Sequence, residues 1–282
     1  MPDEPPLARR DVIANRLAQG HSVVAGALAQ EFAVSEDAIR RDLRALADEG
    51  LCRRVYGGAL PISPASISMA TRTEVDRDRK MSLARAAAGA IQPGEFLFLD
   101  SGSTNLALAG VLPEDYGLTV ATNSVAIAAA VLRRQDLKLI LIGGQVDPLI
   151  GGSVDGAAVQ SVSLLNVDRC FIGACAVSAG AAGSGAVAGG AFESGATGSG
   201  AVGAGAGLSA FHSSDAIFKR ALLAVSAHCS TLITTDKFAA RAPYRVAPLT
   251  AIQMLVVEHD APRHLLDPLI QAGVSLLQAE PA

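Results

Sequence analysis

The stretch "SEDAIRRDLRAL" (residues 35–46) carries three arginines, Arg40, Arg41 and Arg44, within five positions. The chain that holds it is acidic, with a formal charge of −4 at pH 7. On a helix turning about 100° per residue, Ile39, Leu43 and Leu46 share one apolar stripe, and the three arginines spread over the neighbouring face. Ser35 suits the N-cap of this helix and Gly50 its stop. Ahead of it, "VVAGALAQEF" (23–32) places Leu28 and Phe32 one turn apart, and "AVS" (33–35) is a tight connection. A short helix, a turn and a second helix with a segregated cation face read as a helix-turn-helix, whose second helix enters the major groove. Arginine bonds guanine O6 and N7 bidentately and also contacts phosphates.

The flanks extend this reading. "LARRDVIANRLAQG" (7–20) is a further amphipathic helix, with Leu7, Ile13 and Leu17 and a stop at Gly20. "LCRRVYGGALP" (51–61) has apolar residues around a Gly-Gly, the pattern of a short two-stranded wing, and its Arg53 and Arg54 enlarge the basic patch. Residues 1–60 hold eight Arg against nine acids. Clustering, and not net charge, therefore points to DNA. The competing reading is a solvated helix face with pairs such as Asp37–Arg41.

The stretch "ALAQEFAVSEDAIRRDLRALADEGLCRRVYGGAL" (27–60) resembles the N-terminal domain of DeoR-family bacterial transcriptional regulators. The resemblance rests on Leu28-Ala29, Val34-Ser35, Ile39 to Leu43, Gly50-Leu51 and Gly57-Gly58-Ala59. It implies a winged helix-turn-helix that faces DNA through Ser35, Asp37, Ala38, Arg40, Arg41, Arg44, Arg53, Arg54 and Tyr56. Ala38 stands where that family usually has Thr, and Tyr56 where His is common.

The full length of 282 residues accommodates two domains. Half the residues are apolar, yet aromatics make up 4% and Trp is absent. Ala, Val and Leu must fill the core, which suits helices packed on a buried sheet. The four cysteines form no CxxC pair and have no His at zinc-finger spacing, so reduced thiols and no metal are expected. "MPDEPPLARRD" (1–11) is acidic and proline-rich without an apolar segment, and no apolar run suits a membrane span; a cytoplasmic protein is expected.

Three parts follow from patterning: a DNA-binding domain over 1–60, a Pro/Ser/Thr-rich linker over 61–75, and an α/β domain over 76–282. In the last, "EFLFLD" (95–100), "LTVAT" (118–122), "KLILIGG" (138–144), "DRCFIGA" (168–174), "TLITTD" (231–236) and "AIQMLVVE" (251–258) alternate with helical segments. This predicts a Rossmann-like, mostly parallel sheet. Residues 180–207 are almost wholly Gly, Ala and Ser and read as a flexible insertion.

After the first of these strands come Ser101, Gly102, Ser103 and Thr104. The free N–H groups of a helix beginning there suit a phosphate, although ordinary N-capping uses the same residues. Asn123, Gly143, Gly144 and Lys237 also follow strands, where ligands of open parallel sheets bind. The competing reading makes them turn residues and an exposed lysine. Asp100 to Thr104, Thr122-Asn123, Gly143-Gly144, Gly156, Lys219 and Asp236-Lys237 resemble the DeoR-family sensor domain, related in fold to ribose-phosphate isomerases. That resemblance adds Asp100 and Lys219 to the effector site and implies a phosphorylated sugar or polyol. Asp215 stands where Glu is expected.

The implied function is a repressor of a carbohydrate-catabolism operon. It would bind double-stranded operator DNA as a homo-oligomer, dimer or tetramer, and need no cofactor. The alternative is an isomerase-like enzyme using Asp100, Asp147, Asp155 or Asp236 as a base. A third reading is a metabolite-binding protein whose helical domain docks another protein.

Overall fold

The computed structural model describes residues 6–18, 23–49, 51–61, 68–178, 207–240, 242–271 and 273–281. The chain divides into two compact units, Met1–Ile67 and Ser68–Ala282.

The first unit contains α1 (Pro6–Ala18), β1 (Val23–Val24), α2 (Ala25–Glu31), α3 (Glu36–Asp48), β2 (Cys52–Val55) and β3 (Gly58–Pro61). Ile13, Leu17, Leu28, Ile39, Leu43 and Leu46 form its core, each at most 3% exposed. The apolar stripe of α3 therefore faces inward. The wing has three strands in the order β1-β3-β2, and not the two expected. Val23 pairs with Ala59 and Val24 with Gly58. A two-residue strand leading into an Ala-rich helix has no period of its own, so it reads as part of that helix. Gly58 is a steric requirement: a Cβ there would lie 2.0 Å from the Val23 carbonyl oxygen.

The second unit opens with α4 (Met69–Glu74) and α5 (Arg77–Ala88). The expected linker over 61–75 is thereby corrected. Ser68 caps α4, its Oγ accepting from Thr71 N at 3.2 Å, and Met69 is buried. Six residues with one buried apolar side chain carry no periodicity, and the Ser/Thr composition masked the helix. Residues 62–67 of the same stretch lie outside the described residues.

There follow β4 (Phe96–Leu99), α6 (Ser103–Ala109), β5 (Thr119–Thr122), α7 (Val125–Val131) and β6 (Lys138–Leu141). Next are β7 (Val146–Asp147), β8 (Gly152–Ser153), α8 (Gly156–Val162), β9 (Val167–Phe171), β10 (Ala176–Ser178) and β11 (Gly207–Ala210). The chain ends with α9 (Ser213–Ala224), β12 (Ser226–Ile233), α10 (Asp236–Ala239), β13 (Tyr244–Pro248), β14 (Met254–Val257), α11 (Arg263–Gln271) and β15 (Ser275–Gln278).

Seven strands form one sheet in the order β15-β14-β12-β9-β4-β5-β6, every neighbour parallel. Alternate residues face opposite helix layers. Leu97 and Leu99 pack with Leu83, Leu108 and Ile127 of α5–α7. Phe98 packs on the other face with Ala158, Phe218 and Leu222 of α8 and α9. A small antiparallel sheet, β10-β11-β13, stands apart from the parallel one. The Gly/Ala/Ser segment joins β10 to β11, where Ser178 pairs with Gly207. Its last residue, Gly207, is strand; the flexibility expected of the rest falls outside the described residues.

Candidate nucleic-acid interface and effector site

The candidate interface is built on α3. Ser35 Oγ accepts from Ala38 N at 3.3 Å and caps the helix. Ala33 holds the preceding turn at φ 53°. With Ile39 and Leu43 buried, Arg40, Arg41 and Arg44 are exposed. Arg40 pairs with Glu36 at 2.6 Å and with Asp37 at 3.2 Å. Arg41 Nε donates to the Asp37 carbonyl at 3.3 Å, so the Asp37 carboxylate serves Arg40, and not Arg41 as the solvated-face reading had it. Arg44 makes no ion pair with any described residue. Exposed pairs of this kind contribute about 0–1 kcal/mol each, so a phosphate displaces them at little cost.

The carboxylate that lies between these arginines in sequence has a different role. Asp42 is buried, and Arg9 of α1 donates to its Oδ2 from Nε at 2.7 Å. This contact crosses 33 residues and removes a carboxylate from the cation face. Arg16 of α1 grips Glu31 of α2 with both terminal nitrogens, and its guanidinium lies 5.9 Å from the centre of the Phe32 ring. From sequence, Asp42 enters only the count of acids set against the arginines, and Arg9 has no assigned part. In the wing, Tyr56 is fully exposed at the turn and Arg54 is exposed beside it. Gly57, at φ 82°, closes that turn. The backbone of Arg53 lies in β2; its side chain is outside the described residues.

In the second unit, the predicted effector residues separate into two groups. Asp100, Asn123 and Lys219 are buried and turned to internal partners. Asp100 Oδ1 accepts from Ser101 N at 2.8 Å and Oδ2 from Gly173 N at 2.8 Å. Lys219, 2% exposed, lies 3.0 Å from Asp100 Oδ2 and also bonds the Asp215 carboxylate. Burial pushes the Asp100 carboxyl up, against the pull of Lys219. Burial alone would lower the Lys219 ammonium, but the two carboxylates outweigh it and raise it. Asn123 Oδ1 accepts from Ser101 N at 3.0 Å, while Nδ2 donates to Ser153 O at 3.2 Å. These groups shape the loop at the ends of β4, β5 and β9.

The second group is presented. Gly102, Ser103 and Thr104 are partly exposed at the start of α6. A Cβ at Gly102 would meet nothing within 4 Å, so the space beside it is open. Ser101 is 5% exposed, and its Oγ has no hydrogen-bond partner among the described residues. Lys237, on α10, bonds Asp236 at 2.9 Å and keeps a quarter of its side chain exposed. Gly143 is exposed and open. Gly144 has a packing reason: its φ is 139°, and a Cβ would lie 2.4 Å from Asp155 Oδ1.

The remaining carboxylates once considered as bases are accounted for locally. Asp155 caps α8 and accepts from Gln145 N and Ala158 N, which hold its carboxyl low. Asp147 accepts from Leu149 N and Ile150 N in a turn. Sequence reasoning missed Arg72 of α4, whose Nη2 donates to Leu149 O at 2.7 Å and Ile150 O at 3.3 Å. It lay in a stretch without pattern, and only the packing of α4 shows its surroundings. All four cysteines are free, and no three His, Cys, Asp or Glu among the described residues are grouped to hold a metal. No helix among the described residues is long and apolar enough to cross a membrane.

Comparison with known proteins follows the same division. Residues 9–65 match the DeoR-like helix-turn-helix domain and residues 75–188 the DeoR C terminal sensor domain. The chain is 26% identical over 273 residues to the putative aga operon transcriptional repressor of Escherichia coli O157:H7, covering 95% of this chain and 92% of that one. It is 34% identical over 142 residues to the glycerol-3-phosphate regulon repressor of Escherichia coli K12; there the match spans 50% of this chain and 56% of the relative. Among solved structures, a probable sor operon regulator from Shigella flexneri gives a TM-score of 0.41 at 13% identity, covering 68% of this chain and 89% of that one. Ribose 5-phosphate isomerase A from Methanocaldococcus jannaschii gives 0.35 at 12% identity, covering 58% and 55%. At these scores the structural likeness decides nothing about this chain. The two domain matches, in order along one chain, together with the full-length repressor relative, place the chain in the DeoR family of transcriptional regulators.

Proposed function

We propose that the protein is a cytoplasmic repressor of a carbohydrate-catabolism operon, released from its operator by a phosphorylated sugar or polyol. The observation that carries this reading is the division of α3. Its apolar side is fixed in the core while Arg40, Arg41 and Arg44 stand outward, and of the three only Arg40 forms ion pairs among the described residues, both of them exposed. Arg54 and Tyr56 add a second exposed contact from the wing. The regulators aligned with this chain include repressors named for an aga operon and a glycerol-3-phosphate regulon, which supports a carbohydrate-linked target.

The effector lies at the carboxyl ends of β4 and β5, against Ser101, Gly102, Ser103 and Thr104. Unpaired Ser101 Oγ and open Gly102 suit an anionic oxygen there, and Lys237 supplies positive charge. Asp100, Asn123 and Lys219 act behind this surface by holding the loop. Release of DNA requires the effector to bind the low-affinity form more tightly than the operator-bound form. A homo-oligomer, dimer or tetramer, places two reading helices on repeated half-sites.

The test is a gel-shift titration with the protein's own promoter region at several salt concentrations. Binding that weakens steeply with salt, and that a phosphorylated sugar abolishes while the free sugar does not, is expected. Tight binding insensitive to salt, or equal response to the free sugar, sinks the reading. Turnover of pentose phosphates by the purified protein would favour the enzyme instead.

A further inference from the structure

We propose that Arg72 is a second anchor for the effector's anionic group, which makes α4 part of the binding site. The proposal rests on the effector reading of residues 101–104. Arg72 is half-buried, and its Nε is buried with no hydrogen-bond partner among the described residues. An N–H donor withdrawn from water and left unpaired is unfavourable until something supplies an acceptor. Ser101 Oγ is in the same condition.

Both groups border the loop 149–153. Arg72 holds its first two carbonyls, while a Cβ at Gly152 would lie 3.0 Å from the Ser101 Cβ. Met69 of α4 covers Gly151, where a Cβ would lie 2.6 Å from the Met69 side chain. Helix α4 also packs on α6, which begins with Ser103 and Thr104. Cations converge on this place. Burial lowers the Lys80 ammonium, and the charges of Lys237 and Arg72 lower it further, while Asp76 and Asp236 oppose them. Asp236 is already bonded to Lys237. An anion with several oxygens answers both orphaned donors and the surplus charge, as a phosphate monoester does.

The site thereby includes the first described helix after the wing in sequence. Pro61 ends β3 of the wing, and α4 is the next described element. Lys80 donates to the carbonyls of Arg72 and Val75, tying the end of α4 to α5. An anion held by Arg72 therefore acts on the sensor helix nearest in sequence to the DNA-binding unit.

The full chain is melted in increasing inorganic phosphate, against sodium chloride at matched ionic strength, as wild type, Ser101→Ala, Arg72→Ala and Arg72→Lys. Phosphate should raise the wild-type Tm. Ser101→Ala and Arg72→Ala should each need at least about tenfold more phosphate for the same rise. Should Arg72→Ala melt early in chloride, Arg72→Lys decides: it keeps a donor for the Leu149 carbonyl but has no Nε, and should also bind more weakly. Loss in Ser101→Ala with unchanged response in Arg72→Lys and Arg72→Ala overturns the Arg72 proposal and leaves the loop site standing. A wild type that ignores phosphate overturns both. The chain has no Trp, so Ala70→Trp, at an exposed position of α4, gives a single emission signal. That emission should shift with phosphate; a Tm rise without any emission change removes α4 from the site.

Discussion

The two units handle positive charge in opposite ways. On α3, Arg40, Arg41 and Arg44 are exposed, and the contacts that Arg40 and Arg41 make are local, three or four residues along one helix. In the sensor unit, Lys219 is enclosed between Asp100 and Asp215, one from a strand end and one from its own helix. Exposed pairs contribute little and exchange readily for a partner's phosphates. A buried pair cannot exchange, because removing one charge strands another in a medium that solvates it poorly. The arginines are therefore free to take a new partner, whereas Lys219 is fixed beside the loop that follows β4.

This contrast is open to direct attack. The largest effect is expected from Lys219→Ala, which leaves Asp100 and Asp215 buried without their cation. Unfolding in urea should show a loss of about 3–5 kcal/mol. A loss below about 1 kcal/mol would place Lys219 with the exchangeable charges. Next is the double change Arg40→Ala with Arg41→Ala. Each lost contact is worth at least about 1 kcal/mol to DNA affinity, so operator binding should fall by roughly thirtyfold or more. Stability should move by no more than about 0.5 kcal/mol per site. Operator binding that survives the double change removes α3 from the groove.

Smaller effects sharpen the comparison. Ser35→Ala removes the cap of α3 and should cost about 1 kcal/mol in the stability of the first unit, read by thermal melting. DNA affinity should fall only as far as the helix end frays. Smallest is Ala38→Thr, which places a hydroxyl one residue before Ile39. Ala38 is partly exposed at the start of α3. A few-fold gain in operator affinity is expected, measured by gel shift at fixed salt; a loss would mean that the cation face meets DNA in another register.

Much of the fold could be read without coordinates because it depends on short-range periodicity. The Ile39, Leu43, Leu46 stripe and the runs that became β4, β5, β9, β12 and β14 each state their own burial, whereas the equally apolar run of β6, at the sheet edge, leaves Ile140 and Leu141 exposed. What was missed has no local period. Strands β10 and β11 are short runs of small residues that exist by pairing across a long insertion. Helix α4 hides in Ser/Thr composition, and β1 takes its strand character from Gly58 and Ala59 of the wing.

The candidate sites divide along the same line. Sequence placed Ser101, Gly102, Ser103 and Thr104 after a strand, where they lie. It could not separate residues that face a ligand from those that support them. Asn123 and Lys219 carry the same kinds of atoms as any ligand contact, and only their partners show them satisfied internally.

By itself, then, the amino-acid sequence determined the two-part organisation, the helix-turn-helix with its outward arginines, the parallel α/β sheet and the DeoR-family membership. These follow from hydrophobic spacing and from contiguous motifs, which act over a few residues. Tertiary structure alone decided which charges are free. Asp42 is neutralised by Arg9 across 33 residues, Lys219 is locked by Asp100, and Arg72 is brought by α4 to the loop that Ser101 borders. A charge is set by the residue, but its solvation is set by whatever the rest of the chain packs around it.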